Sequence, residues 1–136
     1  MACAHLDIDV LEGRFAVARL GPNEAVPAWA RDEPLTSITH TAAELSIICS
    51  ADQVPAGVRQ ESGFRALCVR GPLEFGAVGV LLALAGPLAA AGIPILAIST
   101  FDTDYVLVRD ADLTRAAGAL ERAGHRLGHS ERAAVG

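Results

Sequence analysis

Aromatic residues are scarce: they make up 4% of the 136 residues, with one Trp and one Tyr among them. Single-stranded nucleic acid is held on surfaces carrying several such rings, so this scarcity argues against that function. Basic residues are not concentrated either. The formal net charge is −5 and acids and bases are interspersed, whereas a phosphate backbone calls for clustered Lys and Arg. No nucleic-acid partner is expected. There are three cysteines, Cys3, Cys49 and Cys68, and no CxxC pair. Cys49 and Cys68 lie in the apolar runs Ser46–Cys49 and Ala66–Val69, where a thiol behaves as a small buried hydrophobe. The opening MACAHLDIDV lacks a basic segment followed by a long apolar stretch. No signal peptide is read there, and a reducing cytoplasm is the expected setting.

Catalytic and cofactor signatures are missing as well. There is no GxSxG, no P-loop and no GxGxxG, since Gly76-Ala77-Val78-Gly79 has the wrong spacing. His125 and His129 are spaced like a helical metal pair, but Gly124 and Gly128 argue against a helix there. No Cys or carboxylate cluster completes a metal set. His5 and His40 read as surface or strand histidines. The expectation is no enzyme, no metal and no cofactor.

What the chain does have is apolar surface. Hydrophobic residues make up 51% and charged residues 20%, enough for one compact domain or two very small ones. One uncharged run, Phe75 to Phe101, is long enough to span a membrane. Gly76, Gly79, Gly86 and Gly92 dilute it, Gly92-Ile93-Pro94 interrupts it, and its flanks are Glu74 and Asp102 rather than basic residues. A buried helix followed by a buried strand accounts for it, and no membrane partner is expected.

The start reads as a hairpin, with His5–Val10 alternating, a turn at Glu12-Gly13, and a second strand over Arg14–Leu20. Thr36–His40 and Leu45–Cys49 read as further strands, and Ser50–Gly63 as a connector with a short helix near Ala51–Val54. Phe64–Val69 is a strand, followed by a helix from Phe75 to Ala91 with Val78, Leu81, Leu82, Ala85, Leu88 and Ala89 inward. Pro87 lies inside that helix and offers no N–H to the Ala83 carbonyl. Ile95–Ser99 and Tyr105–Val108 are strands, Asp112 caps a helix with Leu113, Ala116, Ala117 and Leu120 inward, and His125–Leu127 is an edge strand. The second half thus reads β-α-β-β-α-β.

A repeat runs through this pattern. Leu35–Ile38 aligns with Ile95–Ile98, Glu44–Ile48 with Asp104–Val108, and Asp52 with Asp112, each 60 apart (95−35, 104−44, 112−52). The expected division is a trimmed module over 1–60, a complete one over 61–128, and a tail over 129–136.

Two stretches are candidate sites. Gly71–Gly79 is a strand-to-helix loop whose unpaired backbone N–H groups would favour an anion; equally, its glycines would let the helix pack closely on the sheet. Ser99–Asp104 offers hydroxyls and carboxylates that would receive an ammonium group, and Asp and Thr are also ordinary turn formers. Together, an anion site and a cation site suggest a zwitterion such as an amino acid.

Several segments carry a likeness to a known family. They are His5–Ile8 with Gly13–Val17, Leu35–Cys49, Gly86–Ile93 and above all Ile98-Ser-Thr-Phe-Asp-Thr-Asp-Tyr-Val-Leu-Val108. The chain resembles ACT-domain proteins of the small bacterial two-module type, which are similar to half of the animal arginine sensors called CASTOR. The resemblance implies an α+β fold of tandem ferredoxin-like (βαββαβ) modules, the first trimmed, with antiparallel sheets and helices on one face. It further implies amino-acid binding between modules, without catalysis. Carried onto this chain, Glu74, Phe75, Gly76 and Val78 belong to the binding loop. Thr100, Phe101, Asp102 and Asp104 belong to the turn, with Asp104 the ammonium partner. Pro94 and Ile95 match a strand contributed by the facing module, so a homodimer is expected to complete the site. The function expected is that of an amino-acid-sensing regulatory protein with an unidentified downstream protein partner. The alternative is an interaction module that dimerises through its sheets without a ligand.

Overall fold

In the computed structural model, which describes residues 5–31, 34–73 and 79–130, eight strands and two α-helices follow one another. The strands are β1 (Asp7–Leu11), β2 (Phe15–Leu20), β3 (Ser37–His40), β4 (Leu45–Ser50), β5 (Gln60–Val69), β6 (Leu96–Ser99), β7 (Asp104–Arg109) and β8 (Arg126–Ser130). The helices are α1 (Val80–Ala90), between β5 and β6, and α2 (Leu113–Arg122), between β7 and β8. Residues 5–12 and 65–130 form one compact unit, and the described residues of 13–64 form another.

In the first unit the strand order is β8-β1-β5-β7-β6. Its second half of β5, β6, β7 and β8 with α1 and α2 follows the expected β-α-β-β-α-β succession. What differs is β1. It runs antiparallel to β5, with Ile8 opposite Val69 and Val10 opposite Leu67, and parallel to β8, with Asp7 opposite Arg126. The expected β1–β2 hairpin does not form, because β2 pairs with β4 and β5 instead. Period-two alternation marks a strand with one apolar face but carries no information about its neighbour. Residues 5–12 therefore pack with the C-terminal residues rather than with the rest of 1–60. The antiparallel expectation likewise gives way at the parallel β1–β8 pair.

One face of this sheet supplies Ile8, Val10, Leu67, Val69, Val106 and Val108, which pack with Leu84 and Leu88 of α1 and Ala116 and Leu120 of α2. Each fully buried aliphatic side chain there contributes about 1.5–3 kcal/mol. On α1 the expected stripe holds at Leu88 but not at Leu81 and Leu82. Leu84 and Leu88 are buried, whereas Leu82 is 72% and Leu81 39% exposed. The helix reads VLLALAGPLAA, apolar on every side, so periodicity has nothing to select. Val78 and the expected first turn from Phe75 lie outside the described residues. On α2, Ala116, Ala119 and Leu120 are buried, and Asp112 precedes the helix without capping it by a side-chain bond. Both helices close on a left-handed glycine. Gly92 N–H donates to Ala89 O and Ile93 N–H to Leu88 O, and Gly124 N–H and His125 N–H do the same to Glu121 O and Leu120 O.

Pro87 leaves Ala83 O without its usual helix donor. His125 supplies one: its Nε2–H donates to Ala83 O at 3.0 Å, while its Nδ1 accepts the Leu6 N–H at 3.0 Å. The buried ring is thus a neutral imidazole joining α1, the start of β1 and the α2–β8 connection. His125 and His129 form no metal pair. His129 lies on β8, which extends to Ser130, so the expected tail begins later than 129.

In the second unit the strand order is β3-β4-β2-β5, antiparallel throughout. Ala16, Ala18, Leu45, Ile47 and Cys49 form its core, with Ala30, Trp29 and Val54 packed on them. The short helix expected near Ala51–Val54 is a single 3-10 turn, Ala51–Gln53. β5 begins at Gln60, four residues before the expected strand. No helix among the described residues is long and apolar enough to cross a membrane.

Candidate functional site

A cleft of about 430 Å³ opens in the first unit between the β6–β7 turn and the first turn of α1. Its walls are Leu73, Gly79, Val80, Leu81, Leu82 and the whole of Ser99–Asp104. Two sequence-distant segments meet there because β7, which follows the turn, pairs with β5, the strand that leads toward α1.

The turn is built from its own polar groups. Thr100 N–H donates to Thr103 O at 2.8 Å, and Thr103 N–H donates back to Thr100 Oγ1 at 3.2 Å. It is then tied to the segment before α1. Leu73 N–H donates to Asp102 O at 2.7 Å, and the Thr103 hydroxyl donates to Val69 O at 2.5 Å. Gly71 makes this approach possible: a Cβ there would stand 3.0 Å from Asp102 O and 3.2 Å from Leu73 N. Turn formation and site formation are therefore the same event in this stretch, which is why the residue types alone left both open.

At the mouth of the turn the Ser99 hydroxyl donates to Asp104 Oδ1 at 2.6 Å. An ionised carboxylate has further acceptor capacity, and Asp104 borders the cleft. Across the cleft α1 starts at Val80, preceded by Gly79 in a left-handed backbone conformation. The first backbone N–H satisfied within the helix is that of Ala83, to Gly79 O. The preceding first-turn amides carry the positive end of the helix dipole. A carboxylate on one side and the positive end of a helix on the other suit a ligand bearing an ammonium and a carboxylate. No His, Cys or Lys is among the described lining residues.

Of the residues singled out by sequence, Thr100, Phe101, Asp102 and Asp104 line the cleft. Glu74, Phe75, Gly76 and Val78 lie outside the described residues. Pro94 and Ile95 precede β6 and do not line this cleft; Pro94 is exposed and Ile95 packs on the core. Leu73, Gly79, Ser99 and Thr103, which lie within the two candidate stretches, also line it, and Val80, Leu81 and Leu82 are lining residues outside those stretches. For Leu81 and Leu82 the only signal was their place at the helix start, which the assumption of a buried stripe concealed.

Elsewhere in this unit two polar features are structural. Tyr105 stands beside Cys68, and burial pushes its hydroxyl up to about 12, with the thiol adding to the effect. Burial also raises the Cys68 thiol above its usual value, so it is a poor nucleophile. Cys49 is fully buried, whereas Cys68 is half-buried. On the exposed side of β1, Arg126 pairs with Asp7 at 2.7 Å and Arg70 with Asp9 at 2.6 Å. The Arg126 hydrogen bond holds the Asp7 carboxyl below its usual value.

Comparison with known proteins bears on both parts of the chain. Residues 59–122 match the family model of the ACT domain, and residues 13–57 match a second model described as an N-terminal domain. The crystal structure of protein Atu0741 from Agrobacterium tumefaciens is similar over 98% of this chain and 100% of its own, at 38% identity and a TM-score of 0.90. A Vibrio cholerae protein of unknown function, VC0802, described as a possible transport protein, is similar over 88% of this chain and 90% of its own, at 21% identity and a TM-score of 0.72. The regulatory subunit of aspartate kinase from Thermus flavus is similar over 90% and 99%, at 12% identity and a TM-score of 0.60. No curated protein matches the chain.

Proposed function

The chain belongs to the family of the Agrobacterium tumefaciens protein Atu0741 and has an ACT-like fold of ferredoxin type, and from that premise we propose that it is an amino-acid-sensing regulatory protein without catalytic activity. The observation that carries this assignment is the cleft joining Ser99–Asp104 to the start of α1. In it, Asp104 receives the ligand's ammonium group, Thr100 contributes a hydroxyl, and the first-turn amides of α1 receive the carboxylate. Glu74, Phe75, Gly76 and Val78, which precede α1 in sequence, belong to the same proposed site. Regulation is supported by the structural likeness to an aspartate kinase regulatory subunit and by the ACT match over 59–122.

We further propose that the site is completed by a second copy of the chain, in a reducing cytoplasm. β6 pairs with β7 alone among the described strands, which leaves its other edge open. A second β6 laid antiparallel along that edge would bring the partner subunit's Pro94 and Ile95 to the Ser99–Asp104 end. The two-module organisation is supported by strand order, since β3-β4-β2 has the same succession as β6-β7-β5.

A thermal-shift screen against the twenty amino acids tests the proposal. A ligand at a hundred times its dissociation constant stabilises the folded chain by roughly 2.7 kcal/mol, a rise of several degrees in Tm. Asp104→Ala is expected to abolish the shift while leaving the circular dichroism spectrum unchanged. Absence of a shift with every amino acid would leave the interaction-module alternative in possession.

A further inference from the structure

We infer that Ser99 is a positioning residue of the proposed site: its hydroxyl fixes the Asp104 carboxylate in the orientation that receives the ligand's ammonium group. The inference rests on the amino-acid-binding assignment above and concerns a residue to which that assignment gives no role. Ser99 and Asp104 are the last cross-strand pair of the β6–β7 hairpin, directly opposite each other. Side chains so paired leave the same face of the sheet, with Cβ atoms about 4.5–5.5 Å apart. That face is the inner one, because alternation along β7 puts Asp104 with Val106 and Val108, which pack with the helices. Asp104 is half-buried there, and both residues border the cleft. The Ser99 hydroxyl reaches Asp104 Oδ1 at 2.6 Å. An ionised carboxylate only accepts, so the serine is the donor. The terminal torsion of an aspartate is otherwise broad and two-fold. With Oδ1 held by Ser99, Oδ2 is turned to the ammonium group.

The bond is not what makes the turn. In the second unit the β3–β4 hairpin closes with the same four-residue loop. There Thr41 N–H donates to Glu44 O at 2.9 Å and Glu44 N–H to Thr41 Oγ1 at 3.1 Å, as Thr100 and Thr103 do between β6 and β7. The closing pair of that hairpin is His40 opposite Leu45, which offers neither hydroxyl nor carboxylate. Where it buries Leu45 completely, the β6–β7 hairpin carries an acid on its inner face and sets a hydroxyl against it. Ser99 is itself exposed, and exposed side chains contribute little to folding. The effect of the bond therefore falls on the carboxylate rather than on the hairpin.

The test is calorimetric titration of the full chain with each of the twenty amino acids, in the parent, Ser99→Ala and Ser99→Thr. Every amino acid that the parent binds should bind about fivefold to tenfold more weakly to Ser99→Ala, as expected for losing one orienting hydrogen bond. Ser99→Thr keeps the hydroxyl and suits a strand, so its affinity should lie within about twofold of the parent. The urea midpoint should be the same in all three proteins. Equal affinity in the parent and Ser99→Ala would overturn the inference while leaving the amino-acid-binding assignment standing. So would a Ser99→Thr protein as weak as Ser99→Ala, or a urea midpoint that falls in step with affinity. No binding of any amino acid to the parent would overturn both.

Discussion

Replacing His125 by leucine removes one buried ring but two hydrogen bonds. The imidazole accepts from Leu6 N–H and donates to Ala83 O, each at 3.0 Å, and is only 4% exposed. Leucine fills a similar volume, so the loss is polar rather than steric. Each backbone group left without a partner costs about 1–3 kcal/mol, and the pair together about 2–6 kcal/mol. Against a total stability of roughly 5–15 kcal/mol that is a large fraction. One of the two losses is conditional on a second residue. Ala83 O depends on the ring because position 87 is Pro87 and offers no N–H. Pro87→Ala restores that donor, so His125→Leu should cost about 1–2 kcal/mol less in the Pro87→Ala background than in the parent. Urea unfolding of the four proteins of this cycle, followed by far-UV circular dichroism, measures the difference directly. A His125→Leu penalty below about 0.5 kcal/mol, within the range of ordinary surface substitutions, would refute the reasoning. So would equal penalties in the two backgrounds, since the helix carbonyl would then not be the ring's partner.

Three further outcomes are expected. The single tyrosine makes Tyr105 readable by its ultraviolet absorbance. Its midpoint should lie near 12 in the folded chain, against 10 unfolded; because the folded value is the higher one, the associated stability is complete below pH 10 and is lost as pH rises toward 12. A midpoint of 10 under native conditions would show the ring to be unburied. Gly71→Ala places a Cβ 3.0 Å from Asp102 O and should lower stability by about 1–3 kcal/mol, with amino-acid binding weakened because the turn carries Asp104; unfolding and titration read the two effects separately. Leu84→Ala should cost about 2–5 kcal/mol and Leu82→Ala under about 0.5 kcal/mol; similar costs in urea unfolding would mean that α1 buries a different face.

The strands were largely legible because their alternation is strong: Ile8 and Val10, Leu45 and Ile47, and Val106 and Val108 all face inward as their period requires. Strand neighbours were not. Nothing local in Asp7–Leu11 specifies that it lies between β8 and β5. The helix α1 was legible as a helix, but its uniformly apolar sequence hid that Leu81 and Leu82 face the cleft. The polar half of the candidate site, Thr100 to Asp104, was legible because hydroxyls and carboxylates are concentrated there. The apolar half depends on where the helix start meets that turn, which is a tertiary fact. The role of His125 was equally out of reach, since it answers a missing N–H at Pro87, far away in the chain.

Native mass spectrometry of the full chain with each of the twenty amino acids tests the central claim most directly, because it counts subunits and bound ligand in one spectrum. The account predicts a dimer carrying one amino acid per chain, and loss of that added mass in Asp104→Ala. No added mass with any amino acid, or the same occupancy in Asp104→Ala as in the parent, would contradict it.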